Sequence, residues 1–337
     1  MEKLLTVTVP CYNSQDYMAN CVESLLKGGD RVEIIIIDDG SKDNTAAIAD
    51  EFAEKYPDII KVVHQENGGH GEGINVGLKN ATGLFFKVVD SDDKLSDDFP
   101  RFLDVLENEA KDADMVVTNY VYTYNDGGKD NTINYKNIFD ENKLLSWDDT
   151  RRFKLKQCMT IHSCTFKTQL MRDSGMILPK HVFYEDNLMV CSILPLTEKV
   201  FYVNSGLYLY TIGREGQSVS ADVMTKRYKH QLLVAAEIFE TCHLDDMMKK
   251  SKMLYKLMYH EMYMMYAIAC MYARRSKEED AEKNLEDMWK RAYEFDEKYA
   301  KKLRKGSSLK FLNIKGKFGK FFSAFIYKLA HSVVKFN

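Results

Sequence analysis

The run Val32-Glu33-Ile34-Ile35-Ile36-Ile37 ends abruptly in Asp38-Asp39-Gly40-Ser41, and this change constrains the fold more than any other feature of the chain. Apart from Glu33 the run is continuously apolar, so neither face of the strand is suited to water. It reads as an inner strand of a parallel sheet with helices on both faces. Its neighbours agree. Leu4 to Val9 is strand-like, and Met18, Cys21, Val22, Leu25 and Leu26 follow helical spacing up to Gly28-Gly29. Ile48, Ala49, Phe52, Ala53 and Tyr56 mark a second helix that Pro57 closes, and Ile59 to Val63 gives a third strand. The alternation predicts an α/β domain with a doubly wound, mostly parallel sheet.

A glycine-rich loop, Asn67-Gly68-Gly69-His70-Gly71, leads into a short helix around Ile74 to Ala81. Leu84 to Val89 is a fourth strand, and it runs into Asp90-Ser91-Asp92-Asp93. Two strands thus end in carboxylate pairs. Ligands of open α/β sheets bind beyond the carboxyl ends of the strands, so both acidic clusters are expected on one rim. A helix with Phe99, Phe102, Leu103 and Leu106 follows, then a strand from Met115 to Tyr124 and a polar loop from Asn125 to Asn142. Residues 147 to 210 mix short helices and strands, Phe201 to Val203 and Leu207 to Tyr210 among them, and are assigned to the same sheet. From Val223 to about Lys302 the period is helical and rich in Met and Tyr. Lys256, His260 and Glu261 interrupt it, which predicts a packed helical bundle and not a membrane span.

Charge separates the ends of the chain. Residues 301 to 337 hold ten Lys and Arg and no acid, so the near-neutral total of −3 hides an acidic body of −13. That body argues against nucleic acid as a partner. The terminal lysines alternate with Phe311, Phe318, Phe321, Phe322 and Phe325 in an amphipathic basic segment. It suits an anionic membrane surface; docking of its apolar face onto the helical bundle is the alternative. The seven scattered cysteines form no C-x-x-C pair, which argues against a disulfide framework or a zinc site and for a reducing compartment. The start of the chain has no secretory pattern.

Asp90 and Asp92 at a strand end can hold a hard divalent cation and leave positions open for diphosphate oxygens. The same residues also suit a turn or a helix cap. Context decides: VTVPCYN, IIIIDDGSKDNT and FFKVVDSDD occur in one order and spacing. Together they resemble family 2 glycosyltransferases with the GT-A fold, over about residues 3 to 220. The resemblance implies that Pro10, Tyr12 and Asn13 border a nucleotide pocket, that Asp39 contacts the base, and that Asp90, Ser91 and Asp92 lie at the diphosphate with Mn2+ or Mg2+ on Asp90 and Asp92. It further implies that Glu185-Asp186 is the base motif, Asp186 taking the proton and Glu185 supporting it; an acidic helix start is the other reading of that pair. Arg214 resembles a diphosphate clamp. Residues 67 to 75 depart from the family pattern, since its usual arginine is absent. Asn67, Gly68, His70 and Asn75 are assigned to the donor pocket in its place.

The expected architecture is a glycosyltransferase domain over residues 1–220, a helical bundle over 221–303 and a basic tail over 304–337. The expected function is metal-dependent, inverting transfer from a nucleotide-diphosphate sugar, UDP being the family's commonest carrier, to a cell-envelope glycan or lipid-linked acceptor at the cytoplasmic face of the membrane. Two alternatives stand beside it. A catalytically silent nucleotide-sugar-binding or scaffold protein would release no nucleotide, and a sugar-phosphate nucleotidyltransferase would need a basic glycine-rich loop that Pro10-Cys11-Tyr12-Asn13 does not supply.

Overall fold

A computed structural model describes residues 3–124, 128–154, 157–213, 220–306, 308–314 and 316–333. The chain divides into two compact units, residues 1–152 with 159–212, and residues 153–158 with 213–337.

The first unit begins with β1 (Leu5–Cys11), α1 (Met18–Leu26), β2 (Val32–Asp38), α2 (Thr45–Lys55) and β3 (Ile60–His64). β1 and β2 are buried along their whole length, including Thr6, Thr8 and Glu33 among their apolar residues. They pair in parallel from Leu5 opposite Val32 to Cys11 opposite Asp38, and β3 joins the far side of β2. The chain then returns through α3 (His70–Asn80) to β4 (Phe85–Val88), which pairs in parallel with the other side of β1. The winding reverses between β1 and β4, so the crevice at their carboxyl ends is the switch point where such sheets bind ligands. α3 starts at His70, earlier than its glycines led us to expect. Those glycines let it sit close on β1: an added Cβ would lie 3.0 Å from Pro10 Cβ at Gly73 and would run into Thr8 Oγ1 at Gly77.

The unit continues through β5 (Lys94–Leu95), α4 (Phe99–Asn108), β6 (Met115–Tyr124), β7 (Asn131–Ile133), β8 (Leu144–Leu145), β9 (Cys164–Lys167), α5 (Thr168–Asp173), α6 (Glu185–Ile193) and β10 (Val200–Ile212). All strands form one sheet in the order β3-β2-β1-β4-β9-β6-β10-β5, with β7 on β6 and β8 on β10. Its long strands pair in parallel, and the short β9 bridges β4 and β6 antiparallel. Two late strands expected from the sequence are one: β10 runs through Gly206 with register breaks on either side, a bulge that keeps it paired with β6. The stretch expected as a loop after β6 contributes β7 and, beyond it, Tyr135, Ile138 and Phe139 to the core.

The second unit is helical: α7 (Ala221–Lys226), α8 (Tyr228–Thr241), α9 (Leu244–Lys250), α10 (Lys252–Arg275), α11 (Ala281–Phe295), α12 (Glu297–Arg304), α13 (Leu309–Leu312) and α14 (Gly316–Val333). α10 buries Leu254, Met258, Met262, Met265 and Tyr266 at helical spacing. α14 docks on α10 through one face. The Ser323 hydroxyl donates to the Met271 carbonyl at 3.3 Å, and the Arg275 guanidinium lies 3.8 Å from the centre of the Tyr327 ring. Phe318 and Phe321 remain 75% and 66% exposed. Among the described residues no helix is long and apolar enough to cross a membrane. All seven cysteines are free thiols.

Candidate active site

Asp90 follows β4, and the Asp93 N–H donates to the Asp90 carbonyl at 2.9 Å, closing a tight acidic turn. A ligand atom from each of Asp90, Asp93 and His162 lies within 4.8 Å of the others. This is the group of possible metal ligands found among the described residues, and it differs from the expected pair of Asp90 and Asp92. Asp92 is half-buried on the same turn. Asp93 is buried, accepting from the Tyr208 hydroxyl at 2.7 Å and the Thr211 N–H at 2.8 Å. Burial, with Asp90 and Asp92 close by, lifts its carboxyl well above the usual range. His162 stacks on Tyr210 with centroids 4.5 Å apart, and burial pulls it down to about 4, so its imidazole is neutral and keeps a lone pair. Behind it the buried Lys87 ammonium donates to the carbonyls of Ile161, His162 and Cys164 at 3.4, 3.0 and 3.1 Å; burial lowers it to about 8.

This donor set fits a divalent cation. Two carboxylates and a neutral imidazole offer hard oxygens and one nitrogen, suited to Mn2+ or Mg2+. Burial and the neighbouring acids disfavour the ionised form of Asp93, a cost that a cation among the three would relieve.

On the other side of Asp90, His70 bridges two acids. Its Nε2 lies 2.9 Å from Asp90 Oδ1 and its Nδ1 lies 2.7 Å from Glu185 Oε1. Burial opposes charge on this imidazole, yet Asp90 and Glu185 together raise its pKa well above the ordinary value and so favour the form in which both nitrogens donate. The same contacts hold Asp90 below the usual carboxylate range despite its own burial. Glu185 and Asp186 are the first two residues of α6, where the helix dipole favours carboxylates. The helix-start reading and the site reading of this pair are therefore compatible. Glu185 is buried beneath His70, and a Cβ on Gly71 would lie 2.8 Å from its Cγ. Asp186 accepts from the Asn187 amide at 2.9 Å; burial and the adjacent Glu185 raise it to about 7.

At the tips of β1 and β2, Tyr12 is 51% exposed, and Asn13, in the left-handed region at φ 50°, accepts the Lys42 N–H at 2.8 Å. Asp39, expected at the nucleotide base, is buried and engaged. Its carboxylate accepts the Gly68 and Gly69 N–H groups, both at 2.8 Å, and the Gln65 amide at 2.7 Å, while the Asn67 amide donates to its carbonyl. These bonds brace the glycine loop against the end of β2. Asn75 clamps Leu178 through both backbone groups at 2.9 and 3.0 Å, Ser91 pairs with Ser14 at 2.9 Å, and Pro10 lies under Gly73. Arg214 lies outside the described residues.

Asp93, His162, Lys87 and Tyr208 are the residues that motif reasoning missed. Lys87 carried a signal, a lone charge inside a strand expected to be buried on both faces. His162 carried none, because only the pairing of β9 between β4 and β6 brings its segment beside Asp90.

The pattern described as Glycosyl transferase family 2 matches residues 6–175 of this chain. The chain belongs to glycosyl transferase family 2. Among relatives, glycosyltransferase GlyG of Streptococcus pneumoniae serotype 4 is 30% identical over 228 residues, 62% of this chain and 71% of GlyG. The minor teichoic acid biosynthesis protein GgaB of Bacillus subtilis is 24% identical over 68% of this chain but only 25% of its own length. The chain spans about a third of the length of the next curated relatives it matches after GlyG. Among solved structures, S. aureus TarS 1-349 in complex with UDP-GlcNAc superposes with a TM-score of 0.70 at 19% identity, covering 98% of this chain and 92% of that one. That likeness establishes a shared GT-A-like fold.

Proposed function

We propose that the chain transfers a sugar from a UDP-sugar to an acceptor hydroxyl with inversion, using a divalent cation held at Asp90, Asp93 and His162 with Asp92 as a further ligand on the same turn. The observation that carries this reading is the bridge Asp90–His70–Glu185, which ties the acidic turn after β4 to the first turn of α6 within one site. A bound cation supplies positive charge for the departing diphosphate. Pro10, Tyr12 and Asn13 border the nucleotide, the Asp39-braced loop with Gly68 and Asn67 forms its wall, and Arg214 clamps the phosphates. His70 holds Glu185 in place and keeps Asp90 ionised. Asp186 takes the proton of the incoming hydroxyl, and a carboxyl at about 7 is well matched to that task near neutral pH.

The UDP-GlcNAc bound by TarS and the teichoic acid role in GgaB's name support UDP as the carrier and a cell-envelope acceptor. The exposed Phe318 and Phe321 of α14, in a lysine-rich segment, support attachment to an anionic membrane surface at the cytoplasmic face. Incubation with a panel of UDP-sugars and Mn2+ tests the reading. Release of UDP from at least one donor is expected. Pyrophosphate formation would indicate a nucleotidyltransferase, and no product from any donor would indicate a silent binding protein.

A further inference from the structure

In the parallel pairing of β6 and β10, Tyr120 stands opposite Tyr208 and Tyr122 opposite Tyr210. Alternate residues of a strand share a face, so the four rings form two rungs on one side of the sheet. Centroids are 5.4 Å apart for Tyr120 and Tyr122 and 5.5 Å for Tyr122 and Tyr210, and His162 stacks on Tyr210. The lower rung is buried and anchored, since the Tyr208 hydroxyl donates to Asp93. The upper rung is half-buried, as are both strands from there to Tyr124 and Ile212. The aromatic wall therefore starts at the candidate metal ligands and emerges at the carboxyl ends of the strands.

Its place in the sheet argues against the nucleotide as its ligand. β1 and β2, which carry Pro10 and lead to Tyr12, Asn13 and Asp39, lie on one side of β4, and β6 and β10 lie on the other. The chemistry of the wall also argues against a phosphate, because its upper rung offers ring faces and no cationic side chain, and the Asp93 carboxyl lies below it. Flat aromatic faces carry negative charge density that matches the C–H face of a pyranose, while the sugar's hydroxyls stay at the rim.

We propose that Tyr122 and Tyr210 form a stacking subsite for a pyranose ring of the acceptor, which makes the acceptor a glycan and not an open-chain polyol phosphate. The proposal rests on the glycosyl-transfer reading above for the word acceptor, but its binding chemistry can be tested apart from turnover. The full chain, with Mn2+ and with or without UDP, is titrated with cellobiose, lactose, N,N′-diacetylchitobiose and ribitol 5-phosphate by saturation-transfer NMR, and UDP affinity is measured by calorimetry on the same samples. At least one disaccharide is expected to bind and ribitol 5-phosphate is not. Tyr122→Ala should weaken that disaccharide roughly tenfold, Tyr122→Phe should retain it because the ring is kept, and UDP affinity should hold in both. Binding of no disaccharide, equal binding by Tyr122→Ala, preference for ribitol 5-phosphate, or loss of UDP affinity in Tyr122→Ala would each overturn the subsite. Failure of the wild-type chain to bind UDP would instead count against the donor reading, with the UDP-free titrations still judging the tyrosines.

Discussion

Asp186→Asn should abolish transfer and at the same time raise stability. In the wild-type chain burial and Glu185 raise the Asp186 pKa from 3.8 to about 7. Unfolded, the carboxyl releases its proton near pH 4; folded, it keeps it until about pH 7. Between those values the unfolded state is progressively favoured, and above pH 7 the full penalty is present. The shift corresponds to about 4 kcal/mol at most, and partial hydration of a half-buried group reduces it to roughly 1–3 kcal/mol. Asparagine keeps the shape and an oxygen for the Asn187 amide, without the charge. Thermal melts without metal should therefore show Asp186→Asn matching wild type at pH 4 and exceeding it by roughly 2–8 °C at pH 8. Wild-type transfer, read as UDP release with acceptor present, should rise about tenfold from pH 6 to pH 8 as Asp186 ionises, then level off. A variant that melts no higher than wild type at pH 8, or a wild-type rate flat across that range, would refute the assignment of a raised, catalytic Asp186.

Other sites give sharper structural tests. Asp39→Ala strands the Gly68 and Gly69 N–H groups, which should cost about 2–4 kcal/mol and lower the melting midpoint by roughly 5–10 °C; amide exchange should speed up in residues 65–69. Gly71→Ala places a methyl 2.8 Å from Glu185 Cγ, so transfer should fall at least about tenfold while calorimetric UDP binding is retained. Phe318→Ser with Phe321→Ser removes the two exposed phenylalanines described in α14, and partitioning onto phosphatidylserine vesicles in a sedimentation assay should drop about tenfold or more with no loss of thermal stability.

How much of this was legible beforehand follows from what each element is made of. The largely apolar run of β2 declares burial on both faces, and the carboxylate endings of β2 and β4 locate the rim. Asp90 and the Glu185-Asp186 pair could be singled out because short-range patterns mark them, and the structure brings them together through His70. The bridging role of His70 was not legible, since it joins residues 115 positions apart in sequence through a ring that reads locally as a solvated loop histidine. Asp39 adds a role its motif did not show: besides the expected place at the nucleotide, its carboxylate holds the glycine loop through Gly68 and Gly69. The continuity of β10 was hidden by Gly206, whose bulge reads locally as a break. Of the two readings of the tail, the packing of α14 on α10 supplies docking through one face, and it leaves Phe318 and Phe321 exposed.

The central claim is that the acidic turn after β4 clasps the donor's cation. Electron paramagnetic resonance of free Mn2+, titrated into the chain with UDP present, reads this directly. Wild type should take up the ion and quench the free signal, whereas Asp90→Asn and Asp93→Asn should each weaken uptake by about tenfold or more. Uptake by Asp90→Asn and Asp93→Asn equal to that of wild type would contradict it.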